Sequence, residues 1–180
     1  MIVAMDNMGG IGKNGNIPWK FKEDMALFKW STRKGIVIMG RKTYESIPKY
    51  CKLFERCQVI VLSRNEKNES AIYYTMETCM KHLKDDTSED IDIMVIGGSQ
   101  IYTLFMDAGL IDHVCVTHIN ESFECTEFMD EYNLAYFENS RGWTRLTTDS
   151  FSFNLAEHAA RIRESTKYDA IYVEFIKNDL

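Results

Sequence analysis

An acid placed on the apolar side of a helix is the first residue in this chain with chemical consequence. Residues 21–30 read as an amphipathic helix in which Phe21, Leu27 and Phe28 stand three or four positions from Asp24, so that all four share one face. An ionised carboxylate there is costly to bury unless hydrogen-bond donors meet it. Where no cation of the chain does so, a ligand is the natural donor. A flat, nitrogen-rich heterocycle with two parallel N–H groups suits one acid at the floor of an aromatic-lined pocket. The plainer alternative is a partly exposed first-turn acid favoured by the helix dipole.

Three further motifs carry chemistry. Gly10, Gly12 and Gly15 satisfy a G-x-G-x-x-G pattern, but Asn14, Gly15, Asn16 and Pro18 keep the chain irregular until about Phe21, where a dinucleotide fingerprint needs a helix. Asn14 after Gly12-Lys13 excludes a phosphate-binding P-loop. These residues read instead as a long loop over a site, bent at its glycines and ending in Pro18-Trp19. Ile96-Gly97-Gly98-Ser99 runs from a buried strand through paired glycines into a helix, which presents free backbone N–H groups to an anion; a plain turn capped by Ser99 is the alternative. Gly40-Arg41-Lys42-Thr43 repeats the arrangement after another strand, and Ser63-Arg64 follows a third. Arg41, Lys42 and Arg64 at strand ends fit a 2′-phosphorylated dinucleotide better than an unphosphorylated one, although each taken singly is an ordinary surface charge.

The elements that must position these residues alternate. Residues 2–5, 36–39, 59–62, 72–74 and 93–96 read as strands, with helical patterns at 21–30, about 43–47, 76–83 and 99–106. Unbroken apolar runs at 37–39 and 59–62 imply burial on both faces. Beyond Gly109, strands at 113–119, 144–148 and 171–176 with little helix between them suggest an antiparallel edge. Residues 157–166, rich in charge and alanine, read as a solvated insertion with helical character and no chemistry, and 85–92 as an acidic surface loop. The expected fold is α/β. It would be a single doubly wound domain over residues 1–180, with a predominantly parallel eight-stranded sheet, an antiparallel C-terminal edge and about four flanking helices.

Composition narrows the function classes. The chain has 180 residues, 45% of them hydrophobic, which is enough for one buried core. A net charge of −6 argues against nucleic acid as a partner. No apolar run reaches the roughly 20 residues of a membrane span, and the N-terminal residues lack a secretory signal, so a soluble, cytoplasmic protein is expected. Five cysteines (Cys51, Cys57, Cys79, Cys115, Cys125) without a C-x-x-C pair read as free thiols, and the four histidines are too scattered for a zinc pattern, so no metal is expected.

Several blocks in order then resemble the dihydrofolate reductase family. They are Ile17-Pro18-Trp19 with Asp24 five positions on, Phe28-Lys29, the run Ile38-Met39-Gly40-Arg41-Lys42-Thr43-Tyr44-Glu45-Ser46-Ile47, and Val95-Ile96-Gly97-Gly98 with Ile101-Tyr102. The likeness covers about residues 1–120 and resumes loosely at Trp143 and at 172–176. It implies reduction of dihydrofolate to tetrahydrofolate by NADPH, with hydride transfer to C6 and protonation at N5. Asp24 would bind the pterin 2-amino group and N3, Thr117 would hydrogen-bond the same carboxylate, and Trp19 would complete the catalytic group. Ile2, Ala4 and Ile96 would line the pterin pocket; Phe28, Ser46, Ile47 and Leu53 would flank the p-aminobenzoyl ring, and Arg56 would clamp the glutamate carboxylate. For NADPH the resemblance implies Ile11, Gly12 and Trp19 over the nicotinamide, with Ala4 and Ile96 beside it. It implies Gly40, Arg41, Lys42, Thr43, Leu62, Ser63 and Arg64 at the adenosine half, and Gly98, Ser99, Gln100, Ile101 and Tyr102 at the pyrophosphate and ribose. A cis peptide between Gly97 and Gly98 is also implied, as are antifolate-type ligands, a monomer, and a cytoplasmic location (the host's cytoplasm if the source is viral).

The chain departs from the pattern at residues 120–130. The acid that ties down the Pro-Trp loop in the family is absent, Cys125 or Thr126 standing in its place, so Glu124 or Glu127 would have to serve, or the loop would be looser. Phe54-Glu55 replaces the family's Pro-Gly before Arg56, and residues 150–170 have no counterpart in the short bacterial forms. Two rival readings stand beside this one. They are a same-fold reductase of riboflavin synthesis, disfavoured by the spacing from Pro18-Trp19 to Asp24, and a non-catalytic nucleotide-binding or structural subunit.

Overall fold

The apolar runs at the centre of the sequence become the interior of the sheet. The computed structural model describes residues 1–48, 53–64, 73–85, 91–129, 131–147, 153–165 and 167–178, with the side chains at 53, 54, 73, 153 and 154 left out. The chain opens with β1 (Ile2–Asp6), β2 (Gly10–Gly12), α1 (Lys22–Ser31), β3 (Ile36–Gly40) and α2 (Arg41–Ser46). It continues through α3 (Leu53–Arg56), β4 (Gln58–Leu62), β5 (Tyr73–Tyr74), α4 (Met76–Asp85), β6 (Ile93–Val95) and α5 (Ser99–Asp107). Then follow β7 (His113–Ile119), β8 (Glu127–Phe128), α6 (Leu134–Asn139), β9 (Trp143–Arg145), α7 (Phe153–Arg163) and β10 (Ala170–Lys177).

Hydrogen bonding arranges eight of these strands as two four-stranded groups, β5-β4-β3-β6 and β1-β7-β10-β9, with β2 and β8 as a separate pair. The fold is α/β. The first group is wholly parallel and β1 runs parallel to β7, whereas β10 runs antiparallel to both β7 and β9. Parallel neighbours need crossover connections, which is why the helices fall mostly in the first two thirds of the chain. Ile36 to Met39 and Ile60 to Val61 are sealed from solvent on both faces, as their unbroken apolarity requires. Tyr102 spans from α5 to β1, its hydroxyl donating to the Ile2 carbonyl at 2.8 Å.

The expectation of a solvated insertion at 157–166 is overturned. Leu155, Ala159 and Ile162 recur at i, i+4 and i+7, and this stripe turns α7 inward against α1 and β10, where Ala159 and Ile162 lose all exposure beside Leu27 and Tyr172. The charges that suggested a solvated segment lie on the other side, where Arg161 pairs with Glu157. The flanking helices also exceed the four expected. α6 begins where the Asn133 side chain accepts from the Tyr136 N–H at 3.1 Å and buries Phe137 against Trp143 and Phe175. The strand expected at 144–148 is the shorter Trp143–Arg145, and Thr148, like Cys51, Ile72 and Thr166, lies outside the described residues. Cys79, Cys115 and Cys125 are free thiols.

Candidate active site

Asp24 stands in the first turn of α1, with Phe21 at the N-cap and Leu27 one turn on, both buried. The residue is half-buried rather than open to bulk solvent, and among the described residues no cation pairs with it. Burial pushes its carboxyl up from 3.8 to about 6, while the hydrogen bond from the Thr117 hydroxyl works in the opposite direction. Thr117 is itself buried at the centre of β7, in register with Ala4 on β1 and Tyr172 on β10, so the donor is fixed by two neighbouring strands. Taking up a ligand that donates N–H groups is the change that would favour the ionised acid.

The walls around this acid are apolar. Ile2, Trp19, Leu27 and Ile96 belong to one buried cluster against which Ala4, Phe28 and Ile47 pack. Trp19 is buried with its ring edge-on to Phe123 at 5.2 Å, and its indole N–H meets no acceptor among the described residues. A buried donor without an acceptor is costly, which marks this spot as one where a polar ligand atom fits. Ser46, exposed at the end of α2, donates its hydroxyl to the Thr43 carbonyl at 2.7 Å. Arg56 ends α3 with an exposed side chain, and the Leu53 side chain lies outside the described residues.

The second set of residues meets at the carboxyl ends of β3, β4 and β6, which are adjacent and aligned. Gly40 is opposite Leu62, and the Gly40 N–H donates to the Gly97 carbonyl at 2.8 Å. The Gly97-Gly98 peptide is cis. Glycine is required here on two counts. Gly97 has a φ of +99° and a Cβ on it would stand 2.7 Å from the Tyr102 ring, and a Cβ on Gly40 would stand 2.9 Å from Ile101. The Gly98 carbonyl accepts the N–H groups of Ile101 and Tyr102, leaving those of Ser99 and Gln100, in the first turn of α5, without helical acceptors. Thr43 faces the same glycines: a Cβ on Gly98 would lie 3.4 Å from its Oγ1. Arg41, Lys42 and Arg64 are exposed around this rim, with Arg41 paired to Glu45 at 2.8 Å one helical turn on, and Ser63 half-buried. An exposed pair of that kind contributes about 0.2–1 kcal/mol and yields readily to a phosphate.

The loop from Gly10 to Trp19 is held in part by Glu124, one of the two acids the sequence offered, and in part by a buried acid it did not. β2 pairs with β8, bringing Gly10 opposite Phe128 and Gly12 opposite Glu127. The Thr126 hydroxyl accepts the Asn14 N–H at 2.9 Å, and Lys13, half-buried, pairs with the exposed Glu124 at 2.8 Å. Beneath these surface ties Asp6, at the end of β1, is 1% exposed. One of its oxygens accepts the N–H groups of Met8 at 2.9 Å and Gly10 at 2.7 Å; the other accepts from Phe123 N–H at 3.1 Å and the Cys125 thiol at 3.5 Å. A signal was present, since an acid closing a buried strand before a glycine pair can satisfy the N–H groups of a turn. Elsewhere His113, Cys115 and Glu174 have ligand-type atoms within 4.8 Å of one another, but the Glu174 oxygens are already taken by His113 and Tyr172.

Comparison with known proteins bears on the family and the fold. The family model for dihydrofolate reductase matches residues 1–159. A putative dihydrofolate reductase of Caenorhabditis elegans is 34% identical over 151 residues, covering 77% of this chain and 80% of that one. The dihydrofolate reductase of Enterococcus faecium is 31% identical over 137 residues, covering 75% and 79%. Among solved structures, dihydrofolate reductase from Enterococcus faecalis, complexed with NADP(H) and RAB-propyl, superposes with a TM-score of 0.69 at 24% identity over 99% of this chain and 95% of that chain. With a family model over most of its length, relatives above 30% identity and a matching fold, the chain belongs to the dihydrofolate reductase family.

Proposed function

We propose that the Asp24 pocket receives the pterin of dihydrofolate and that the rim formed by β3, β4 and β6 receives NADPH. As a family member the chain reduces dihydrofolate to tetrahydrofolate with NADPH as the reductant. The observation that carries the pocket assignment is a half-buried acid among apolar walls with one hydroxyl donor and, among the described residues, no cation of its own. The 2-amino group and N3 of a pterin supply two parallel N–H donors to such an acid, and Thr117 orients it. Phe28, Ile47, Ser46 and Leu53 would flank the p-aminobenzoyl ring, and Arg56, exposed at the end of α3, would take the glutamate carboxylate.

Tested against the residues present, the rim fits a phosphorylated dinucleotide. Two helix-start N–H groups without helical acceptors at Ser99 and Gln100, close approach allowed by Gly98, and three exposed cations at strand ends are the donors that two kinds of phosphate need. When bound, the reduced nicotinamide supplies the hydride. Ala4, Ile11, Gly12, Trp19 and Ile96 would hold the nicotinamide beside the pterin and exclude water from between them. Asp24 raises the basicity of the pterin it binds, and water reaching the pocket beside Trp19 delivers the proton to N5. The two strand groups act as one doubly wound, eight-stranded sheet in a single monomeric, cytoplasmic domain, with the pocket between β1 and β6.

The test is the loss of absorbance near about 340 nm with dihydrofolate and reduced cofactor. A folded protein that leaves the signal unchanged with both reduced nicotinamide dinucleotides would refute this reading. A non-catalytic subunit of the same fold predicts that flat trace.

A further inference from the structure

The family's loop-tethering acid is missing from residues 123–129, yet the loop is held, and the donors involved converge on one buried group. Asp6 gathers four of them from two separate segments: Met8 and Gly10 at the start of the Trp19 loop, Phe123 and Cys125 from the segment that faces it. Gly10 makes this convergence possible, because a Cβ there would stand 2.5 Å from the Cys125 Cβ and 2.9 Å from an Asp6 oxygen. Phe123, whose N–H is fixed by Asp6, lays its ring against Trp19 and against Tyr168. Of the loop's other side-chain ties, Asn14 to Thr126 is exposed and Lys13 to Glu124 leaves its carboxylate in solvent, where water competes for each partner, while backbone bonds from Thr126 and Met129 to the Gly12 and Gly9 carbonyls join the same two segments. We infer that Asp6 is a positioning residue for hydride transfer: from beneath the sheet end it joins the root of the loop to Phe123 and so sets the placement of Trp19, the work that the family gives to an acid on the other segment.

The inference rests on the proposed closure of the loop over the nicotinamide, and its tests keep the two apart. In Asp6→Asn one face of the side chain presents N–H groups to donors, so the pair of segments loses half of its common anchor. Single-turnover hydride transfer per folded site is expected to fall about 10-fold or more, with the equilibrium affinity of the ligand-free enzyme for dihydrofolate changed less than about 3-fold. Thr126→Ala should slow the same step less than about 3-fold. A merely structural role would lower the melting temperature and the folded fraction, and leave the rate per folded site unchanged.

Amide hydrogen exchange gives a readout free of turnover, and it stands even where Asp6→Asn fails to fold. In the wild type, the Gly10 and Phe123 amides should exchange at least about 10-fold more slowly than that of Asn14. Equal exchange of the three amides, or a hydride-transfer rate in folded Asp6→Asn within about 2-fold of wild type while NADPH protects residues 10–20 in both proteins, overturns the assignment to Asp6. If NADPH protects none of residues 10–20 in the wild type, the loop-closure reading fails instead, and the inference with it.

Discussion

Asp24→Asn separates the cost of the pocket acid from its use. Burial lifts the acid from 3.8 to about 6, about 2 pH units, and at roughly 1.4 kcal/mol per unit this corresponds to about 3 kcal/mol. The sign follows from proton binding. The folded state holds the proton more tightly than the unfolded chain does, so this contribution to stability is complete below about pH 4. It is lost as the pH rises towards about 6. At neutral pH the ligand-free enzyme therefore carries an ionised group that it would rather keep neutral. Because Asp24 is half-buried, solvent screening trims the penalty to about 2 kcal/mol. Asparagine has the same size and no charge, so the variant should be more stable than the wild type at pH 7.5 by about 2 kcal/mol. In a chain of this length that is about 4–8 °C in melting temperature. The two proteins should converge near pH 4. The assay is denaturant unfolding of ligand-free protein from pH 4 to 8, where the difference between the two curves isolates Asp24 from the histidines. The same variant should reduce hydride transfer by orders of magnitude, with cofactor affinity almost unchanged. A variant no more stable at pH 7.5 than at pH 4, relative to wild type, refutes the burial argument; near-normal turnover refutes the role of the acid.

Three other outcomes follow from the geometry. Thr117→Val removes the donor to Asp24 and nearly preserves volume, so the acid should titrate higher still and the KM for dihydrofolate should rise about 10-fold in steady-state assays. In Arg41→Ala the preference for NADPH over NADH should fall about 10-fold in the ratio of kcat/KM values, and equal use of both dinucleotides by the wild type would remove the phosphate reading. Ile162→Ala should cost about 2–4 kcal/mol in denaturant unfolding, since the side chain is sealed between α7 and α1; a loss below about 0.5 kcal/mol is what a solvated helix would give.

The parts of the fold that could be read from the sequence were those in which one local pattern decides the structure. β3 and β4 were legible because burial on both faces leaves no room for polar residues. α1 was legible because its apolar stripe is interrupted only by Asp24. The strand ends at Gly40, Ser63 and Gly97 announced a rim because glycine, hydroxyl and basic residues after a buried run have few other reasons to coincide. α7 was misread since its charges and alanines look solvated until the spacing of Leu155, Ala159 and Ile162 is laid on a helix with α1 in front of it. Asp6 escaped for a different reason. Its donors are one turn and 117 residues away, and nothing in the local sequence at either end reveals that they meet. The loop tie at 124–127 was foreseen as a replacement within the same segment, whereas the buried replacement came from another strand.

One consequence of the strand order reaches into the life of the chain. β10 is the last described element to leave the ribosome, yet it lies between β7 and β9 rather than at a border. Until it arrives, β7 has an open flank where Thr117 stands, and α7 lacks one of the two elements it packs against. A chain cut short after residue 150 would lack both α7 and β10, leaving Thr117 at an unpaired sheet flank.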